Sequence, residues 1–95
     1  MGSYVIRLKV LPQETTIEHQ KIVDSVTHAL PGMAKVRSQR IEPIAFGLSA
    51  IILDIVAPEE EGMIDKVEAA VSTAPLVGQY ELMGVSRMSS RLPPQ

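Results

Sequence analysis

The side chains that could perform acid–base or metal chemistry are few and widely spaced. The 95 residues include two histidines, His19 and His28. At 100° per residue, His28 falls on the polar face of a predicted helix, whereas His19 lies at the end of its apolar stripe. That position favours a structural histidine over a catalytic base. Asp54 interrupts an aliphatic run and is either a buried acid or, as an antiparallel sheet with one open face favours, a solvated carboxylate.

The acidic run 59–61 and the absence of cysteine bear on the remaining routes to catalysis. Three successive glutamates can bind a cation, but they also suit a helix start, where carboxylates meet the positive end of the helix dipole. Zero cysteines exclude disulfides, thiolate metal sites and cysteine nucleophiles, and the sequence contains no phosphate-binding glycine loop, HExxH or nucleophile elbow. We therefore expect no enzymatic bond chemistry, no metal site and no cofactor.

The segment 42–48, Glu-Pro-Ile-Ala-Phe-Gly-Leu, is unusually apolar for the connection between two predicted strands. It carries the sole phenylalanine, Phe46. This ring either folds back over the end of the core or serves as an anchor for a partner, since stiff, exposed aromatic residues are favoured anchors. Fixing φ at Pro43 would keep the loop ordered before binding. The predicted partner-binding residues are Pro43, Ile44, Ala45, Phe46 and Gly47.

Two arginines near the C-terminus, Arg87 and Arg91, form a second candidate site. A guanidinium has a permanent charge and forked donors, so either residue could contact phosphate or a carboxylate of a partner. Solvated arginines in a loose tail are the alternative.

Composition indicates a small globular protein. The hydrophobic fraction is 45% and the charged fraction 21%, and the formal charge of −2 is too balanced to attract phosphate backbones or anionic lipid. No apolar run reaches the roughly 18 residues of a membrane span, and no export signal precedes the first strand. We expect one domain over 1–95 with a flexible tail from about residue 89, located in the cytoplasm, with no membrane or direct nucleic-acid partner.

Hydrophobic periodicity predicts six elements that position these candidates. Thr15 and Glu18 have the spacing of a capping box, and Pro31-Gly32 would end the first helix. Charges at 35, 37 and 40 indicate an exposed sheet edge, whereas the aliphatic run from 48 indicates a central strand. Strands are predicted over 4–11, 33–41, 48–56 and 77–85, and helices over 15–30 and 58–74.

The resulting order, βαββαβ, predicts an α+β, ferredoxin-like sandwich. Both helices would cover one face of a four-stranded antiparallel sheet. Right-handed crossovers place the first and third strands in the middle and the second and fourth at the edges.

The chain resembles the archaeal-type elongation factor 1-beta family, which corresponds to the guanine-nucleotide exchange domain of its eukaryotic relatives. The resemblance covers about 3–88 and is most specific at 43–47, Pro-Ile-Ala-Phe-Gly, followed by an aliphatic strand. Leu-Lys-Val-Leu-Pro at 8–12 and Leu-Pro-Gly at 30–32 support it.

This resemblance implies a ferredoxin-like exchange factor that promotes GDP release from the GTPase elongation factor 1-alpha, so that GTP can bind. It implies that Phe46 and its loop dock on the GTPase. Arg87 falls where eukaryotic members have a lysine that intrudes on the Mg²⁺ and phosphate site. An arginine is bulkier than that lysine, so Arg91, or neither residue, is the alternative. We expect a monomer when the protein is alone.

Two other functions use the same fold. A small-molecule-sensing regulatory module would dimerise and bind its ligand between the helices and the sheet. An RNA binder needs aromatic residues on the two central strands of the open face. The third predicted strand has none, and Tyr4 lies on the apolar face of the first.

Overall fold

The computed structural model describes residues 2–30, 32 and 34–89. Residues 88 and 89 are described by their backbone only. Its elements follow the predicted βαββαβ order. They are β1 (Gly2–Pro12), α1 (His19–Ala29), β2 (Lys35–Ala45), β3 (Leu48–Pro58), α2 (Met63–Thr73) and β4 (Val77–Ser89). The ferredoxin-like α+β class is therefore confirmed.

The four strands form one antiparallel sheet in the order β2-β3-β1-β4. The aliphatic third strand is central and the charged second strand is an edge, as the sequence predicts. On β3, four consecutive residues from 50 to 53 are buried, so the strand is covered on both faces near its start. This explains why its sequence lacks strand-like alternation there.

The core lies between the helices and one face of the sheet and is aliphatic. The two central strands, β1 and β3, contribute alternate residues, and each helix contributes one stripe. The largest fully buried side chains are Ile6, Leu8, Val10, Ile22, Val26, Ile51, Leu53, Ile55, Val67 and Val71. Since each large aliphatic side chain that leaves water contributes about 1.5–3 kcal/mol, burial of this cluster is the main stabilising term.

Both helices begin later than predicted. The predicted capping box of Thr15 and Glu18 is wrong. α1 starts at His19, and Glu18, the residue before it, makes no side-chain cap hydrogen bond. Ile17 thus precedes the helix, which is why it does not fit the apolar stripe and yet contacts the core. α2 starts at Met63 after Gly62, so the glutamates at 59–61 lie before the helix and not within its first turn.

Strand ends also differ from prediction. β2 continues from the expected end at 41 to Ala45, and β4 continues from 85 to Ser89. The expected stop at Pro31 and the tail beyond Ser89 lie outside the described residues. Each helix has 11 residues, and neither is long and apolar enough to cross a bilayer within the described part of the chain.

Candidate functional site

The connection between β2 and β3 is a two-residue turn and not the six-residue loop, 42–47, that the predicted strand ends leave. Ala45 pairs with Leu48 across the hairpin, which leaves only Phe46 and Gly47 between the strands. Both have positive φ, 54° and 77°, as a type I′ turn requires. This turn type matches the twist of the strands, so Phe46 lies at the tip of a rigid hairpin.

Pro43 and Ile44 shape the last part of β2. Pro43 pairs with Ser49 and Ala45 with Leu48, so the register shifts by one residue and Ile44 is the extra residue of a bulge. Proline is tolerated because β2 is an edge strand, where a missing N–H need not cost a ladder hydrogen bond. Pro43, Ile44 and Ala45 therefore belong to a strand, which corrects their assignment to a loop.

The tip of this hairpin carries an exposed apolar patch. The side chain of Phe46 is fully exposed, at 103%, so it does not fold back over the core. Ile44 is 45% exposed and Ile41 is 44% exposed. We call these three residues the hairpin patch. Ile41 was not among the predicted site residues; its only signal in the sequence is an isoleucine that directly follows the polar stretch 37–40 of an edge strand.

Arg87 lies in β4, directly opposite Tyr4 of β1, and not in a loose tail. Its Nε is 3.3 Å from Oε2 of Glu59, which follows β3. The Arg87 side chain is 73% exposed and that of Glu59 is 29% exposed, so the cation remains accessible to a partner while it is paired. Arg91, the alternative candidate, lies outside the described residues.

The two candidate regions lie at opposite ends of the sheet. The hairpin tip precedes Leu48 at the start of β3, whereas Tyr4, the neighbour of Arg87, pairs with Ala57 near the end of β3. At about 3.3 Å per residue, the length of β3 alone separates them by roughly 30 Å. The fold therefore does not bring Phe46 and Arg87 into one site.

Asp54 belongs to a polar network on the sheet face opposite the helices. Arg7, its cross-strand neighbour, donates to both carboxylate oxygens, Nε to Oδ1 at 2.8 Å and Nη2 to Oδ2 at 3.1 Å. Ser38 Oγ donates to Oδ2 at 3.2 Å. The hydrogen bond from Arg7 is the main reason that the pKa of Asp54 is lowered; partial burial opposes it, and Ser38 and the charge of Arg40 add to it. Asp54 is thus an ion-paired carboxylate, neither a buried acid nor a freely solvated one.

The remaining titratable candidates do not converge. His19 is partly buried and His28 is exposed, and the two lie at opposite ends of α1. Among the described residues, no three His, Cys, Asp or Glu side chains are grouped so that they could hold a metal ion. Glu59, which we considered as part of a cation site or a helix start, is paired with Arg87 instead.

Comparison of the sequence with protein families and with curated proteins gives one family. The EF-1 guanine nucleotide exchange domain matches residues 5–88. Elongation factor 1-beta of Staphylothermus marinus is 37% identical over 90 residues, which are 94% of this chain and 100% of the relative. That of Thermoplasma acidophilum is 34% identical over 86 residues, 90% of this chain and 98% of the relative. A solved structure, the C-terminal domain of the MgtC protein from Mycobacterium tuberculosis, has a TM-score of 0.47 and 12% identity, covers 92% of this chain and 85% of that chain, and is too distant to bear on function.

Proposed function

The chain belongs to the EF-1 guanine nucleotide exchange domain family, so its function is guanine nucleotide exchange in translation elongation, and we propose that its two ends divide that task. The match over residues 5–88 is the observation that carries this conclusion. Exchange breaks no covalent bond; it needs only tighter binding to the nucleotide-free or loosened GTPase than to the GDP-bound form. A thousandfold acceleration of release corresponds to about 4 kcal/mol of such preference.

The partner that this function implies is the GTPase elongation factor 1-alpha. Relatives named elongation factor 1-beta cover nearly the whole chain, which supports the same partner here. We propose that the protein acts as a monomer, in the cytoplasm, where aminoacyl-tRNA is delivered. The formal charge of −2 supports a protein partner over direct binding to nucleic acid.

At one end, the hairpin patch is proposed to anchor the complex. A fully exposed phenylalanine on a two-residue turn offers apolar area with little ordering cost on binding. Ile41 and Ile44 extend that area along β2 and can surround the anchor. Loss of the Phe46 ring would then weaken docking more than it would slow release within the docked complex.

At the other end, Arg87 is proposed to perturb the Mg²⁺ and phosphate site of the GTPase. A guanidinium brought near Mg²⁺ opposes the metal by like charge and competes for its oxygen ligands. The backbone of Arg87 is fixed in a strand, and its side chain is 73% exposed. Both features suit a cation that enters the site of a partner, and loss of Arg87 would slow release within the docked complex.

The alternative of a ligand-sensing module is not favoured. Its ligand would lie between the helices and the sheet, where the described residues form one continuous aliphatic cluster. The large exposed apolar side chains lie instead on the two edge strands and at the hairpin tip.

The direct test is the release of a fluorescent GDP analogue from elongation factor 1-alpha. Micromolar protein should accelerate release by orders of magnitude, to a rate that saturates with protein concentration. A GTPase of the same family that does not bind aminoacyl-tRNA serves as the specificity control. Release that is no faster with the protein than without it would refute the proposed function.

A further inference from the structure

Glu59 lies beside the cation that we propose to act on the GTPase, and no role follows for it from the family. Its carboxylate forms the ion pair with Arg87, Oε2 to Nε at 3.3 Å. We infer that Glu59 is a positioning residue, which holds the Arg87 side chain in the direction needed at the nucleotide site. This inference rests on the proposed function of Arg87.

The two partners are fixed from the same short segment of β1. The backbone N–H of Glu59 donates to the carbonyl oxygen of Gly2, with N and O 3.2 Å apart. The backbone of Arg87 pairs with Tyr4, two residues further along β1. Because both backbones are held, the freedom that the ion pair restricts is that of the two side chains.

The atoms of the contact leave the end of the guanidinium available. The closest approach is through Nε, the guanidinium nitrogen nearest the backbone. Neither terminal nitrogen of Arg87 donates a hydrogen bond within the described part of the chain. Together these two groups form one forked edge of the guanidinium, which can donate to two phosphate or carboxylate oxygens. Glu59 therefore contacts the guanidinium at Nε, and the largely exposed side chain keeps its two terminal nitrogens available to a partner.

The benefit is a smaller loss of side-chain freedom on binding. An arginine side chain has large rotamer entropy, which must be lost when the guanidinium enters one site. A carboxylate that already restricts it reduces this loss. In the opposite case, Glu59 would restrain Arg87 from entering the partner, and removing the carboxylate would make GDP release faster. Whether release becomes slower or faster without this carboxylate therefore distinguishes the two cases.

The test compares Glu59→Gln with Glu60→Gln in the GDP-release assay, at low and high salt. Glu60 is the matched control because it is adjacent, acidic and exposed, and no side-chain contact ties it to Arg87. Glu59→Gln should lower the saturating release rate by about two- to fivefold, the size expected of an exposed ion pair, and leave the half-saturating concentration unchanged. The difference from wild type should shrink at high salt. Glu60→Gln should match wild type.

A double-mutant cycle shows whether Glu59 acts through Arg87. In an Arg87→Ala background, Glu59→Gln should have no further effect on the release rate. The ¹⁵Nε–¹Hε resonance of Arg87 in the free protein should shift in Glu59→Gln and not in Glu60→Gln. An unchanged or faster rate for Glu59→Gln, or an equal effect without Arg87, overturns the inference while the proposed function stands. A wild-type protein that does not accelerate release overturns both.

Discussion

Phe46 has a backbone conformation that is unfavourable for its residue type. A φ of 54° is the left-handed region, which costs a residue with a Cβ about 1–2 kcal/mol and is favourable mainly for Gly, Asn and Asp. The side chain recovers none of this cost, since it is fully exposed. A large apolar residue at this position is therefore explained by a partner and not by the stability of the free protein.

Phe46→Asn should consequently stabilise the protein while it impairs docking. Asparagine tolerates positive φ, so the free energy of unfolding should rise by about 1 kcal/mol, or about 4–8 °C in Tm. Thermal unfolding followed by circular dichroism measures this shift, with Phe46→Ala as the control that removes the ring without favouring the turn. A lower Tm for Phe46→Asn than for wild type would mean that the ring contributes contacts within the fold.

The ion pair of Asp54 with Arg7 predicts how stability depends on pH. The pKa of Asp54 is lowered in the folded state, so its contribution is present above the unfolded value of about 4 and is lost as pH falls through the folded value. Asp54→Asn should lower Tm at pH 7 by a few degrees, and the difference from wild type should narrow below about pH 4. Thermal unfolding of both proteins between pH 2 and 7 measures this difference in Tm. A difference that stays constant across this range would contradict the assignment.

The ion pair between Arg7 and Asp54 could not be predicted from the sequence. Asp54 could be recognised as an exception in an aliphatic strand, but its partner could not. The pairing of Arg7 with Asp54 depends on the register of β1 against β3, and a shift of one residue would place the two on opposite faces. Periodicity indicates which face a residue occupies and not which residue lies across from it.

At the scale of elements, β4 contains two glycines with different surroundings. A Cβ on Gly78 would lie 2.8 Å from the carbonyl oxygen of Pro12 and 3.1 Å from the Cα of Gln13. Both atoms are backbone and cannot move without displacing the end of β1. A Cβ on Gly84 would meet nothing within 4 Å.

Gly78→Ala should therefore destabilise the protein by about 1–3 kcal/mol, as overpacking against backbone does. Gly84→Ala is the matched control in the same strand; it should be neutral or stabilising by about 0.5 kcal/mol, because alanine loses less backbone entropy on folding. Chemical denaturation of the two variants compares them directly. The close approach is refuted if Gly78→Ala is as stable as Gly84→Ala.

The order and type of all six elements could be predicted, but several of their ends could not. Hydrophobic period distinguishes strand from helix because it reflects burial, which dominates folding. Ends depend on local details: Thr15 has the right spacing for a cap but lies in a turn before α1. Phe46 contradicts the usual Asn-Gly signal of a type I′ hairpin, so Pro43, Ile44 and Ala45 were assigned to a loop. The turn departs from the residue preference of type I′ turns at Phe46, the residue proposed to bind the partner.

At the scale of the whole molecule, the antiparallel order places the hairpin patch and Arg87 at opposite ends of one rigid sheet. The hairpin tip lies beside the end of β1, whereas Arg87 lies beside its start. A separation of roughly 30 Å means that the two can act together only on a large partner surface. This relation follows from topology and could be derived from the predicted strand order once Phe46 was placed between β2 and β3 and Arg87 in β4.

The separation predicts independent effects on exchange. Phe46→Ala should raise the half-saturating concentration of the protein in the GDP-release assay by about tenfold or more, as loss of an aromatic anchor does, with little change in the saturating rate. Arg87→Ala should lower the saturating rate and leave the half-saturating concentration nearly unchanged. Since the sites are far apart and share no contacts, the free-energy changes of the double variant should equal the sum of the single ones within about 0.5 kcal/mol. Strong non-additivity, or both variants altering the same kinetic parameter, would mean that the two ends do not act separately.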